Sequence, residues 1–376
     1  MTLPWKRRGR AKVTLLLLAV AVLPPSCLES NPQPFPATDT SRGGGGGPDA
    51  AGNKGLDWGA PENQTDGAVD FRAEMRSLVQ TIAAYARAEN PDFVVIPQNG
   101  LELLTLDGEP DGPLADEYIE TISGCGQEDL NFGYPGLGDV SPAEMTERLT
   151  AFLDRLEGAD RDALVIDYCK NDEQTDASLA VAADHGFIAF PADRRELDDI
   201  PGYPPEPPDV NEDDVTELSQ ASNFLYLINP GEFESRQAFL LAMAQTDYDL
   251  FVVDAFFDDE PLSPEEVEGL KTKANGGRRL VLSYMSIGEA EDYRFYWQES
   301  WNDDPPAWLA AENPDWEGNY KVRYWDPGWQ AILLGSSDSY LDRILAAGFD
   351  GVYLDIIDAF QWFEEQSGQG EHGEQD

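Results

Sequence analysis

From Phe71 onward the chain alternates short β-rich runs with helical stretches, and this alternation constrains the fold more than any other feature. The runs are Phe93–Pro97, Tyr118–Ser123, Leu164–Tyr168, Phe187–Phe190, Phe224–Ile228, Leu250–Asp254, Arg279–Ile287, Tyr320–Tyr324 and Gly351–Ile356. Between them, apolar residues recur every three or four positions in Phe71–Arg87, Glu144–Leu156, Ala238–Ala244, Pro264–Lys273 and Ser339–Ala346, the spacing of amphipathic helices. Strands joined by helices pair in parallel. The expected architecture is therefore α/β, a single-domain (β/α)8 barrel over residues 71–366. Nine runs exceed the eight that such a barrel needs, and Phe187–Phe190 is taken as the extra or edge strand. An open doubly wound sheet is the second choice, because no Gly-rich phosphate loop follows any strand.

Polar residues recur where these runs end: Asn99, Glu128, Asp167, Asp254, Glu289 with Glu291, Asp326, and Asp355 with Asp358. In a (β/α)8 barrel those ends converge on the face that carries catalysis. Acidic residues also follow strands as helix caps. Among 72 Asp and Glu some do only that, and Asp326, in Asp-Pro-Gly, and Asp358 are candidates for that role.

Histidine is nearly absent. His185 sits at an expected helix C-terminus and His372 in a polar tail, so neither offers a Ser-His-Asp triad, a Cys-His pair or a His-rich zinc site. Acid–base work falls to Asp, Glu, Tyr or Lys. No cofactor and no metal ligand motif is implied. The formal charge of −47 repels nucleic acid and anionic lipid and suits a neutral or cationic partner; selection for salt tolerance or solubility accounts for it equally well.

Lys6, Arg7, Arg8, Arg10 and Lys12 precede an apolar run from Val13 to Leu23, the order of a secretory signal. The run is too short to span a bilayer, which takes about 20 residues. Ser26-Cys27 resembles the end of a bacterial lipoprotein box, although Pro24-Pro25 departs from it. Residues 1–27 thus read as a signal, either for lipidation at Cys27 or for simple secretion, and the product as exported: a surface or outer lipoprotein, or a secreted or periplasmic protein. Residues 28–70, rich in Pro, Gly, Asp and Asn, read as a flexible linker, and 367–376 as a disordered tail. Cys125 and Cys169 either pair in an oxidising compartment or stay as buried thiols.

The segment Ser283-Tyr-Met-Ser-Ile-Gly-Glu-Ala-Glu-Asp-Tyr-Arg294 resembles a strand signature of glycoside hydrolase family 114, the endo-α-1,4-polygalactosaminidase-like enzymes of its bacterial and archaeal extracellular branch. The resemblance extends through Asn223–Pro230, Asp249–Asp254, Gly318–Trp325 and Gly348–Asp358, and to Val95–Leu103 and Gly124–Leu130. The last two blocks come first here, whereas in the family they follow, so the order looks circularly permuted. A barrel tolerates this because its first and last elements are neighbours.

The resemblance places the family's paired carboxylates on Asp355 and Glu128. Glycoside hydrolysis needs one protonated carboxyl for the leaving oxygen and one ionised group to attack, to activate water or to stabilise charge. Asp355 is assigned as the ionised partner and Glu128 as the acid, with the reverse left open. Asp254, Glu289, Glu291, Asn99, Tyr284 and Asp358 are expected to line the substrate site. Six of the nine tryptophans lie between Trp297 and Trp329; flat rings suit sugar faces, and Tyr296, Trp297 and Trp325 are the cleft candidates. The implied substrate is a polysaccharide of α-1,4-linked galactosamine, whose amines an acidic cleft would attract. The alternatives are a catalytically inactive polysaccharide-binding surface lipoprotein and, ranked last, a metal-dependent deacetylase or lyase.

Overall fold

The structure, a computed structural model, describes residues 69–258 and 260–368. The signal segment with Cys27, most of the expected linker and the tail with His372 lie outside the described residues. Two residues of the expected linker belong to the fold: Val69 packs on the core, and Asp70 caps α1 (Phe71–Glu89) by accepting the Ala73 N–H. Met75, Leu78, Val79, Ile82 and Ala86 line the buried stripe of that helix, at the three- and four-residue spacing that puts one face inward.

Eight strands run parallel among the described residues. They are β1 (Val94–Pro97), β2 (Gly124–Glu128), β3 (Asp162–Tyr168), β4 (Ile188–Ala192), β5 (Phe224–Leu227), β6 (Leu250–Asp254), β7 (Leu280–Ser286) and β8 (Gly351–Asp355). One sheet has the order β1-β8-β7-β6-β5 and the other β2-β3-β4. A parallel bridge from Gln98 to Gly126 joins β1 to β2. On the other side the Phe190 and Phe224 rings, 5.7 Å apart, bring β4 to β5. Val252, Leu282, Leu225 and Val352 are wholly buried, as expected of parallel strands covered on both faces.

The helices between them are α2 (Asp116–Thr121), α3 (Ala143–Gly158), α4 (Asp172–His185), α5 (Arg236–Ala244), α6 (Pro264–Leu270), α7 (Pro327–Leu333), α8 (Tyr340–Ala347) and α9 (Ala359–Ser367). Asp326 is the cap of α7, accepting from the Gly328 N–H. His185 ends α4 before a left-handed Gly186 and meets Asp154 at 2.8 Å. Helix α9 reaches Ser367, one residue beyond the expected end of the domain.

Three expectations change. The run Tyr118–Ser123 is mostly helix α2, and the strand follows it at Gly124. Phe187–Phe190 belongs to a full member of the parallel set, β4. The extra strand is Asn319–Val322, which with Leu309–Glu312 and Glu289–Glu291 forms a small antiparallel sheet beyond the end of β7. Cys125 and Cys169 are free and buried, and burial pushes both thiols up to about 12.

At the opposite ends of the strands, Lys273 and Asp249 form a wholly buried ion pair at 2.9 Å. Asp249 also accepts from the Ser222 N–H at 2.9 Å, and Lys273 donates to the Asn211 carbonyl at 3.0 Å. The pair ties the long connection between β4 and β5 to the starts of β5, β6 and β7.

Candidate active site

Asp355 is the last residue of β8. Strand alternation places Tyr353 and Asp355 on one face, and Tyr353 is in register with Tyr284 of β7. The Tyr284 hydroxyl donates to Asp355 Oδ2 at 2.9 Å, and the Ile356 N–H donates to Oδ1 at 2.8 Å. Both bonds favour the ionised carboxylate. Burial outweighs them and, with the nearby charge of Glu128, pushes Asp355 up to about 8.

Glu128 ends β2. Its Oε1 accepts the Tyr168 hydroxyl from the end of β3, and its Oε2 accepts from Asn99 Nδ2 at 3.2 Å. Asn99 is left-handed, with φ 62°, and its Oδ1 accepts both the Glu128 N–H and Gln127 Nε2 at 3.1 Å. Asn99 therefore holds Glu128. Beneath the carboxylates, Tyr226 donates to Gln98 Oε1 at 2.9 Å and its ring meets Tyr353 at 5.1 Å. Gly126 has to be glycine: a Cβ there would stand 1.8 Å from the Tyr353 hydroxyl.

A second group surrounds the antiparallel sheet. Arg294 bridges Asp254 at 2.8 Å and Glu291 at 2.6 Å, and Glu291 also accepts the Tyr293 hydroxyl at 2.5 Å. Burial raises Asp254 despite the guanidinium. Glu289 Oε1 takes Lys321 at 2.5 Å and Asn313 at 2.8 Å, while its buried Oε2 has no partner among the described residues. Burial pushes Asp358 up to about 6, with Lys321 lowering it and Glu128, Glu289 and Glu102 raising it. The charges on Glu128, Asp355, Asp358 and Glu289 thus act within one site.

The aromatic candidates divide differently. Trp325 packs on Phe71 and Phe363, at 5.1 and 4.8 Å, in the layer of α1 and α9. Tyr296 accepts the Glu291 N–H at 3.0 Å while its ring packs on Trp329 and Phe295. Trp297 stacks on Tyr320 at 4.9 Å. All three hold the antiparallel sheet or the helices in place. Asp167 is also structural: wholly buried, it accepts from the N–H groups of Asn131 and Phe132 and from Ser178. Tyr168, Arg294 and Lys321 were missed by sequence reasoning. Alternation along β3 carried a signal for Tyr168, since it must face opposite to Asp167.

Among the described residues, no group of three or more His, Cys, Asp or Glu is placed to hold a metal ion. No helix of the described residues is long and apolar enough to cross a membrane.

Three proteins of other organisms are similar to part of the chain. An uncharacterized protein of Methanocaldococcus jannaschii is 42% identical over 158 residues, which cover 41% of this chain and 43% of that one. An uncharacterized protein of Deinococcus radiodurans is 46% identical over 132 residues, 35% of this chain and 40% of its own length. One of Thermotoga maritima is 37% identical over 134 residues, covering 36% and 40%. The chain thus spans about two fifths of the length of these relatives. The pattern of Glycoside-hydrolase family GH114 matches residues 215–375, a stretch that holds Asp355, Asp254, Glu289 and Glu291 and leaves Glu128 and Asn99 outside it. Over residues 215–375 the chain is thus similar to glycoside hydrolase family GH114.

Proposed function

We propose that the protein hydrolyses a galactosamine-containing polysaccharide, related to α-1,4-linked polygalactosamine, with Asp355 and Glu128 as its carboxylate pair. One observation carries this reading: Asp355, held by the Tyr284 hydroxyl and the Ile356 N–H, ends a strand one removed from that of Glu128, and burial together with the charge of Glu128 raises it to about 8. Glycoside hydrolysis needs two carboxyl groups in opposite protonation states. Asp355 keeps its proton at neutral pH and delivers it to the leaving oxygen. Glu128, between two hydrogen-bond donors, is the ionised partner. This is the reverse of the first assignment and the alternative it left open.

The eight parallel strands close into a barrel, with the GH114 blocks in permuted order. Support comes from β1, which pairs with the last strand, β8, from Val94↔Gly351 to Pro97↔Leu354. Asp355, Glu128, Asp358 and Glu289 share one site with Lys321 as the cation that offsets them, and this excess of carboxylates fits a cationic polymer better than a neutral one. On the reading of its first 27 residues the enzyme works outside the cytoplasm, secreted or tethered through Cys27.

The test is an assay of the purified protein on de-N-acetylated galactosaminogalactan. Shortening of the polymer, abolished in Asp355→Asn, supports the reading. No shortening by either protein ends it.

A further inference from the structure

Tyr168 stands outside the GH114 match and outside every role assigned so far. It ends β3 with its ring buried and its hydroxyl on Glu128 Oε1. Its backbone is also engaged: the Tyr168 N–H donates to the Phe132 carbonyl at 2.9 Å, and the Gly138 N–H donates to the Tyr168 carbonyl at 2.9 Å. These bonds bind Tyr168 to both ends of the 129–141 loop that leaves Glu128. Over one face of the ring lies Arg195, from the segment after β4, with its guanidinium carbon 4.3 Å from the ring centre. The same guanidinium bridges Asp129 at 2.7 Å and donates to the Gly133 carbonyl.

We infer that Tyr168, clamped by Arg195, is a positioning residue that holds the Glu128 carboxylate in its working orientation. The physical argument is mechanical. A glutamate at a strand end has three rotatable bonds, and a carboxylate is effective only within a narrow range of geometry. Asn99 restrains one oxygen at 3.2 Å. Tyr168 restrains the other, and a buried phenol on a strand has little freedom of its own. The cation over its face fixes the ring further. The groups whose charge senses Glu128 come from every neighbouring element: Asp129, Tyr168, Tyr226, Tyr353, Asp355 and Asp358. Among them, Tyr168 is the one that donates a hydrogen bond to it.

The inference rests on the proposed hydrolytic reading, and two measurements separate the two. Tyr168→Phe removes one oxygen and leaves the ring under Arg195. Crystal structures of the parent and of Tyr168→Phe should show the Glu128 carboxylate turned away or in several orientations in the variant; an unmoved Glu128 overturns the inference, whatever the protein's activity. In kinetics on the polymer, kcat should fall about tenfold or more while KM stays near the parent value. Equal changes in both, or loss confined to KM, overturn it as well. Should the parent cleave no saccharide, the hydrolytic reading fails, and the crystallographic comparison still decides the role of Tyr168. Arg195→Met, which keeps the hydroxyl, should give a smaller loss of kcat than Tyr168→Phe, and a larger loss counts against the phenol as the positioning group.

Discussion

The hydroxyl of Tyr284 reaches diagonally from β7 to Asp355 on β8 and donates to its carboxylate at 2.9 Å. That bond favours the ionised form, so it opposes the burial that raises Asp355 to about 8. In Tyr284→Phe the opposing contribution is gone and Asp355 titrates higher still. If Asp355 is the acid, activity is lost as pH rises through its pKa. The parent should therefore lose kcat/KM above about pH 8, and the variant should hold its activity to higher pH. A pH profile of kcat/KM, which reports the free enzyme, checks this; a basic limb that does not move counts against Asp355 as the proton donor.

The same shift links to stability. Asp355 titrates near 8 in the folded chain, against about 3.9 in an unfolded one. Between those values the native state binds the more protons, so this group makes stability fall as pH rises. Asp355→Asn removes the titration. The variant should match its parent near pH 4 and exceed it by about 1–3 kcal/mol above pH 8. Urea unfolding at the two pH values measures the difference, and a gain that does not grow with pH speaks against a raised Asp355.

Glu128→Gln keeps the shape of the side chain and its bond to Asn99 but not its charge. A loss of kcat of about 10²–10⁴-fold is expected from removing one acid–base partner, with binding of an uncleaved oligosaccharide nearly unchanged. The substitution also removes a charge that raises Asp355, so Asp355 should titrate lower in this variant. Full activity in Glu128→Gln would transfer the role to another carboxylate of the site.

Lys273→Met leaves Asp249 buried without its cation. Breaking a buried pair from one side costs about 3–5 kcal/mol, measurable as a lower urea midpoint. Because the pair lies at the starts of the strands, away from Asp355 and Glu128, kcat in the folded variant should stay at the parent level.

How much of this could be read from sequence depended on whether the determinant was local. Leu250–Asp254 was placed to the residue, because an apolar run ending in a carboxylate is a local signal. Strand β2, Gly-Cys-Gly-Gln-Glu, was missed because its composition reads as a loop; Gly126 is there to admit a tyrosine from β8. Asp355 and Glu128 were legible as residues at strand ends, but which of them carries the proton was not. That depends on burial and on donors from neighbouring strands. Asn99 was expected to hold sugar, and it holds Glu128, a pairing across β1 and β2 that no spacing announces. Arg294 was overlooked for the same reason, since its partner Asp254 comes from β6.

Strand β1 lies against β8, so Glu128 follows the first strand of the sheet while Asp355 ends the last. The two carboxylates can face each other only once β8 has docked. A chain still emerging from the ribosome, or one severed anywhere between them and separated, carries half a pair. On the proposed reading, chemical competence is in this way conditional on completed folding.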